Sequence, residues 1–239
     1  MKLKETLKKI FKKTATPALT WFQKKYQFHY KQNCRRRLKN KHFTLITSTC
    51  LGGVLYNNLG LQFESPTINL WIAQPEFYKF CADMEYYLGQ ELSFYHRTDR
   101  TCPCAYLGQG ERRITVVFVH YATREEAEAK WNERKKRIYQ DNLYILSSDG
   151  NGATLEDFKL LEDVKCKRKI IFTSTDRPEI KDSFRLYSLR GQESAAAHMI
   201  TINKLTGLRT WEHEFDYVAW LNGAPDFRKR ILPKKRRRR

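Results

Sequence analysis

His42 to Asn58 reads HFTLITSTCLGGVLYNN. Phe43 to Thr49 is an apolar, β-branched run that suits a strand buried on both faces. Ser48, Thr49 and Cys50 lead into Gly52 and Gly53, and Val54 to Leu59 can start a helix. Strand, small-residue turn and helix together open the ligand-binding edge of an α/β domain, because the first N–H groups of the helix point at whatever sits above the strand. Glycines there let a ligand approach the backbone. The pair matches neither G-x-G-x-x-G nor the P-loop, so a tight connection with no ligand is the competing reading.

Downstream, PTINLWI (66–72) reads as a second buried strand. Pro75 opens a helix with Phe77, Phe80, Met84 and Tyr87 at helical spacing. Residues 89–111 read as irregular and contain Cys102-Pro103-Cys104. C-x-C without a second cysteine pair is a poor zinc site, even with His96 as a third ligand, so no metal is expected. RITVVFVHY (113–121) reads as a central strand, and Thr123 with Glu126 forms a capping box for a helix reaching about Tyr139. Asn142 to Ser147 is a strand, Leu155 to Glu162 a short helix and Lys169 to Ser174 a further strand. Ser194 to Ile200 is read as helical, and FDYVAWLN (215–222) as a segment docking on the sheet. The expected fold is therefore α/β, a Rossmann-like three-layer arrangement around a mostly parallel sheet.

The net charge of +19 on 239 residues is unevenly placed. Residues 1–42 carry 14 Lys/Arg against one acid, Glu5, and residues 228–239 carry 9 Lys/Arg and no acid, which leaves the body mildly acidic. Three parts are expected: a basic amphipathic helical appendage (1–41), the α/β domain (42–227) and a basic disordered tail (228–239). In the appendage, Leu3, Leu7, Ile10 and Phe11 recur at helical spacing, and Thr16-Pro17 signals a second helix. Trp21, Phe22, Tyr26, Phe28 and Tyr30 then alternate with lysines. Basic residues interleaved with aromatics suit a helix lying in lipid headgroups, so Met1–Lys41 and Arg228–Arg239 are expected to meet an anionic membrane surface. A nucleic-acid-binding domain would more often carry its basic stripe on the folded face. No secretory signal or membrane-spanning run is read, so the six cysteines are taken as reduced and the protein as cytoplasmic, peripheral to the inner face of the cell membrane.

Ligands of open parallel sheets bind beyond the carboxyl ends of the strands. Three strand ends supply candidates: Ser48, Thr49, Cys50, Gly52 and Gly53; His120 and Tyr121; and Ser148, Asp149, Asn151 and Gly152. Asp149 could act as a base, or hold a metal or sugar hydroxyl; its competing role is a turn cap near Thr154. His120 could be a general base or phosphate partner, and Cys50 a nucleophile favoured by a helix N-terminus. No Ser-His-Asp order, D-x-D, H-E-x-x-H or P-loop appears.

Four stretches resemble a bacterial family catalogued as a domain of unknown function, DUF1919, whose members are often labelled exopolysaccharide biosynthesis proteins. They are FTLITSTCLGGVLYNNLGLQFESPTINLWI (43–72), VVFVHYATREEAEAKWNERKKRI (116–138), NLYILSSDG (142–150) and FDYVAWLNG (215–223). Family members often have Asn-x-Cys before the two glycines, where this chain has Ser48-Thr49-Cys50. The resemblance implies a Rossmann-like fold and a place in capsule or exopolysaccharide synthesis, and it carries over no catalytic residues. Three readings follow. The first is a membrane-peripheral sugar-transfer or sugar-modifying enzyme, with a nucleotide-sugar diphosphate at Gly52-Gly53 and Asp149 or His120 doing acid–base work. The second is a non-catalytic assembly factor of the polysaccharide machinery, with Trp131 and Trp211 as core. The third is a nucleic-acid-binding protein using its arginines.

Overall fold

The computed structural model describes the backbone of residues 2–229 and the side chains of residues 16–229. The expected tail at 228–239 thus lies, beyond Lys229, outside the described residues, as do the side chains of the first apolar stripe. The chain divides into two compact units, one of residues 40–199 and one joining the helix that ends before Lys39 to the described residues from Ile200 onward.

The second of these units begins with α1 (Lys2–Arg37). No break occurs at Thr16-Pro17. Pro17 lies inside the helix; its ring fixes a helical φ and removes one backbone hydrogen bond without forcing a stop. Among the described residues no helix is long and apolar enough to cross a membrane.

The larger unit holds two sheets. Its strands and helices are, in order, β1 (Thr44–Thr47), α2 (Leu51–Leu59), α3 (Gln74–Ala82), α4 (Met84–Gly89), β2 (Leu92–Tyr95), β3 (Cys104–Leu107), β4 (Ile114–Val117), α5 (Arg124–Lys135), β5 (Leu143–Ser148), α6 (Leu155–Lys159), β6 (Arg168–Thr173) and β7 (Ser183–Arg185). The main sheet has the order β1-β5-β6-β7 and is parallel throughout. Thr47 lies opposite Leu146, Ser148 opposite Phe172 and Thr173 opposite Arg185, so the four strands end on one rim. β1 and β5 are buried at every position, which explains their apolar middles, Leu45-Ile46 and Leu143–Leu146. This is a Rossmann-like α/β fold. Its strand order steps one way without reversing, so the four strands contain no switch-point crevice.

Three expectations are corrected here. Residues 66–72 are not a strand: they turn across the end of β1, and only Trp71 makes a bridge, to Val117. Thr67 Oγ1 accepts the Thr47 N–H at 3.1 Å, and the Ile72 N–H donates to the Ser48 carbonyl at 3.0 Å. Asn69 takes a left-handed φ of 64°, which an amide side chain tolerates. The segment is buried because it plugs the rim, and burial writes the same apolar pattern as a strand. Residues 89–111 contain β2 and β3, and the run at 113–121 supplies β4. These three form a separate antiparallel sheet in the order β2-β3-β4, so β4 is not central to the main sheet. Its short strands put too few alternating residues in sequence to separate them from loop.

Local signals read from sequence do appear. Thr123 Oγ1 accepts the Glu126 N–H at 3.1 Å to start α5, although α5 ends at Lys135, short of Tyr139. α6 starts with a full capping box of Thr154 and Asp157, which the sequence reading does not single out. Residues 194–200 hold only a one-turn 3-10 helix, Ala196–His198. The core of the larger unit gathers Ile46, Phe77, Phe80, Val116, Trp131 and Ile145, all nearly or fully buried.

In the other unit, α7 (Tyr217–Leu221) packs with α1. Asp216 caps α7 through Oδ1, which accepts the Ala219 N–H at 3.1 Å, and its Oδ2 pairs with Arg37. The Tyr217 hydroxyl donates to Cys34 Sγ at 3.2 Å. Lys229 Nζ donates to the Glu212 carbonyl at 2.6 Å, and burial pushes that lysine below its ordinary range. Trp211 is fully buried, as is Trp131 in the larger unit.

Candidate functional site

Cys50 is the N-cap of α2, yet its side chain makes no capping bond. The sulfur faces His120 instead, with Cys50 Sγ 3.1 Å from His120 Nε2. His120 reaches that place through a tight turn after β4, in which Val119 N–H donates to the Val117 carbonyl and Tyr121 N–H to the Phe118 carbonyl. Tyr121 is buried behind it, donating to the Ile68 carbonyl at 3.2 Å and accepting from Arg134, so it braces the plug segment. His120 is exposed and Cys50 half-buried. A thiol, an imidazole and a helix N-terminus meet at one point open to solvent, which is the arrangement that favours a reactive thiolate. None of the six cysteines forms a disulfide.

The glycine turn is occupied by the protein. A Cβ at Gly52 would meet Ile68 Cδ1 at 2.6 Å and Thr47 Oγ1 at 3.0 Å, and one at Gly53 would meet Asn69 Oδ1 at 2.9 Å. Glycine is needed there so that the plug can close on α2. The Gly52 N–H donates to Thr47 Oγ1 at 3.3 Å and the Leu51 N–H to Thr49 Oγ1 at 3.5 Å. A phosphate at this helix end would have to displace those hydroxyls.

Asp149 follows β5 and is almost wholly buried. Its carboxylate faces the backbone N–H groups of Ala195 and Ser174, with Ala195 N at 2.5 Å from Oδ1. It therefore anchors the 194–198 turn and not the Thr154 helix, whose cap is Thr154 itself. Gly150 has φ +110°, and a Cβ there would strike Ser194 Oγ at 2.5 Å, so the two segments close tightly. Burial raises the Asp149 carboxyl above the ordinary carboxylate range, against the pull of the two N–H donors. A carboxyl raised in the folded state holds its proton more tightly there than in the unfolded chain. Stability is therefore greatest with the proton on and falls as pH rises from about 3.9 through the folded value. Asp149→Asn keeps an oxygen for Ala195 and is expected to flatten that fall. Urea unfolding at several pH values between about 4 and 7 checks it; an unchanged slope would remove Asp149 as its source.

Asn151 and Ser148 belong to a network that the sequence did not disclose. Its centre is Gln74, fully buried at the start of α3. Gln74 Nε2 donates to Ser148 Oγ at 3.1 Å and lies 3.5 Å from Ser48 Oγ, while its Oε1 accepts from Asn151. Tyr78 OH donates to the Ser148 carbonyl at 3.1 Å. Ser48, Ser148 and Asn151 are thus brought together, and Cys50 and His120 are brought together; Asp149 serves the neighbouring turn. Among the described residues no group of three or more His, Cys, Asp or Glu side chains could hold a metal ion. Cys104 sits buried in β3, its Sγ 3.6 Å from the Cys102 carbonyl.

A parallel sheet with side chains gathered at its carboxyl rim defines a Rossmann-like α/β protein. The chain belongs to a family described as a domain of unknown function (DUF1919), whose model matches residues 22–222. That match begins within α1, well before Phe43, so the family domain includes the aromatic half of that helix. An uncharacterized protein of Haemophilus influenzae is 29% identical over 201 residues, covering 84% of this chain and 94% of the relative.

Proposed function

We propose that the α/β unit is a group-transfer enzyme that modifies a sugar in surface-polysaccharide synthesis, with Cys50 carrying the transferred group and His120 moving its proton. The observation that carries this reading is the 3.1 Å contact from Cys50 Sγ to His120 Nε2 at the start of α2. Thiolates add readily to carbonyl carbon, whereas the anomeric carbon of a sugar is usually served by paired carboxylates. The group transferred is therefore an acyl group, taken from an activated ester or thioester and passed to a sugar hydroxyl. His120 would accept the thiol proton as the sulfur attacks and pass it to the alcohol or thiol that departs; it would then deprotonate the incoming sugar hydroxyl and return that proton to the Cys50 sulfur as the acyl group leaves it. The polysaccharide part of the proposal is carried forward only as the expectation that the resemblance of residues 43–223 implies; the family that matches is one of unknown function.

A second reading, a non-catalytic assembly factor, is favoured by the Gln74 network, where the polar groups at the end of β5 bond one another. p-Nitrophenyl acetate separates the two. The enzyme reading expects a burst of about one nitrophenolate per chain, with the acetyl group found on the Cys50 peptide and lost in Cys50→Ala. A cooperatively melting protein that shows no burst, or spreads acetyl over surface lysines, would favour the assembly factor.

A further inference from the structure

α1 has two unlike sides. Cys34 and Leu38 are buried, and Gln23 and Gln27 reach the carbonyls of Lys204 and Thr206, so one line of the helix faces the segment after Ile200. The opposite line, reached by stepping two turns at a time, carries Trp21 and Phe28. These are 64% and 58% exposed, the largest exposures of any Trp, Phe or Tyr among the described residues of the helix. Lys24, Lys25, Arg35 and Arg36 flank them and are exposed, and Lys25 Nζ stands 5.0 Å from the Trp21 ring centroid. From Thr16 to Arg37 the helix has no acidic residue. Large rings are left in water when nothing apolar covers them, and monomeric proteins seldom expose such a row without a partner.

We infer that the Trp21–Phe28 face of α1 lies on an anionic lipid bilayer, the two rings sinking into the headgroup layer while the flanking cations meet lipid phosphates. Charge complementarity selects the occupant: a ridge of rings between cations matches a surface that is anionic outside and apolar beneath. A purely polyanionic partner would use the cations and leave the rings in water. The inference is independent of the chemistry at Cys50.

Co-sedimentation of the full chain with phosphatidylcholine vesicles, with and without phosphatidylglycerol, tests it. The wild type is expected to bind the anionic vesicles and not the neutral ones. Trp21→Ser with Phe28→Ser, at exposed positions whose loss leaves the fold intact, is expected to weaken partitioning about ten-fold or more. Brominated lipid should quench Trp21 fluorescence, and that quenching should vanish in Trp21→Phe. Vesicle binding unchanged in the double variant, or no vesicle binding by the wild type, overturns the inference. Retention on heparin without vesicle binding overturns it in favour of a polyanionic partner.

Discussion

Trp131→Ala is expected to lower the unfolding free energy of the chain by about 3–5 kcal/mol, the range for deleting a buried indole from a packed core. Trp131 is 2% exposed, near the Phe80 ring, on the inward line of α5 with Ala127 and Arg134. Against a total of about 5–15 kcal/mol, such a loss would show as poor soluble yield before any melt was run. The indole carries a liability as well. Its Nε1 is buried with no hydrogen-bond partner, a condition that costs about 1–3 kcal/mol. Trp131→Phe removes that donor while leaving most of the ring volume, so it should cost far less, about 1–2 kcal/mol. Urea midpoints at constant m-value measure both. Equal losses in the two variants would show that the indole N–H is satisfied and that this account of it is wrong.

At pH 6, iodoacetamide is expected to alkylate Cys50 about ten-fold faster than Cys102. For a cysteine beside an imidazole at a helix N-terminus, the gain in thiolate population outweighs the accompanying loss of intrinsic nucleophilicity. Cys102 is the fair comparison because it too is half-buried and in no disulfide. His120→Ala should bring Cys50 down to about the Cys102 rate at pH 6. Peptide mapping of the alkylated chain reads the rates. If Cys50 and Cys102 label alike at pH 6 in the wild type, the pair does not activate the thiol and the proposed transfer loses its carrier.

A parallel strand buried on both faces draws a run of apolar and β-branched residues, so β1, the Leu143–Leu146 part of β5 and the Ile170–Phe172 part of β6 stood out from sequence. A helix cap is local, so Thr123 with Glu126 did as well. The plug at 66–72 did not, because turning across a rim and lying within a sheet impose the same burial on side chains. Gln74 carries no such signal, because a polar residue before Pro75 looks like an ordinary helix start. Its role exists only once α3 lies over the ends of β1 and β5.

By itself the sequence determined the α/β class, the residues at the ends of β1 and β5, and the basic, aromatic character of α1. Each follows from composition or periodicity within a few neighbouring residues. The tertiary structure alone decided which of those residues meet. Cys50 and His120 follow strands of different sheets, far apart along the chain, and become a pair only because the turn after β4 delivers the imidazole to the start of α2. Asp149, the most reactive-looking residue in sequence, is committed to backbone N–H groups that no local pattern places beside it. Contacts of that kind depend on how distant segments pack, and a linear pattern of residue types does not encode them residue by residue.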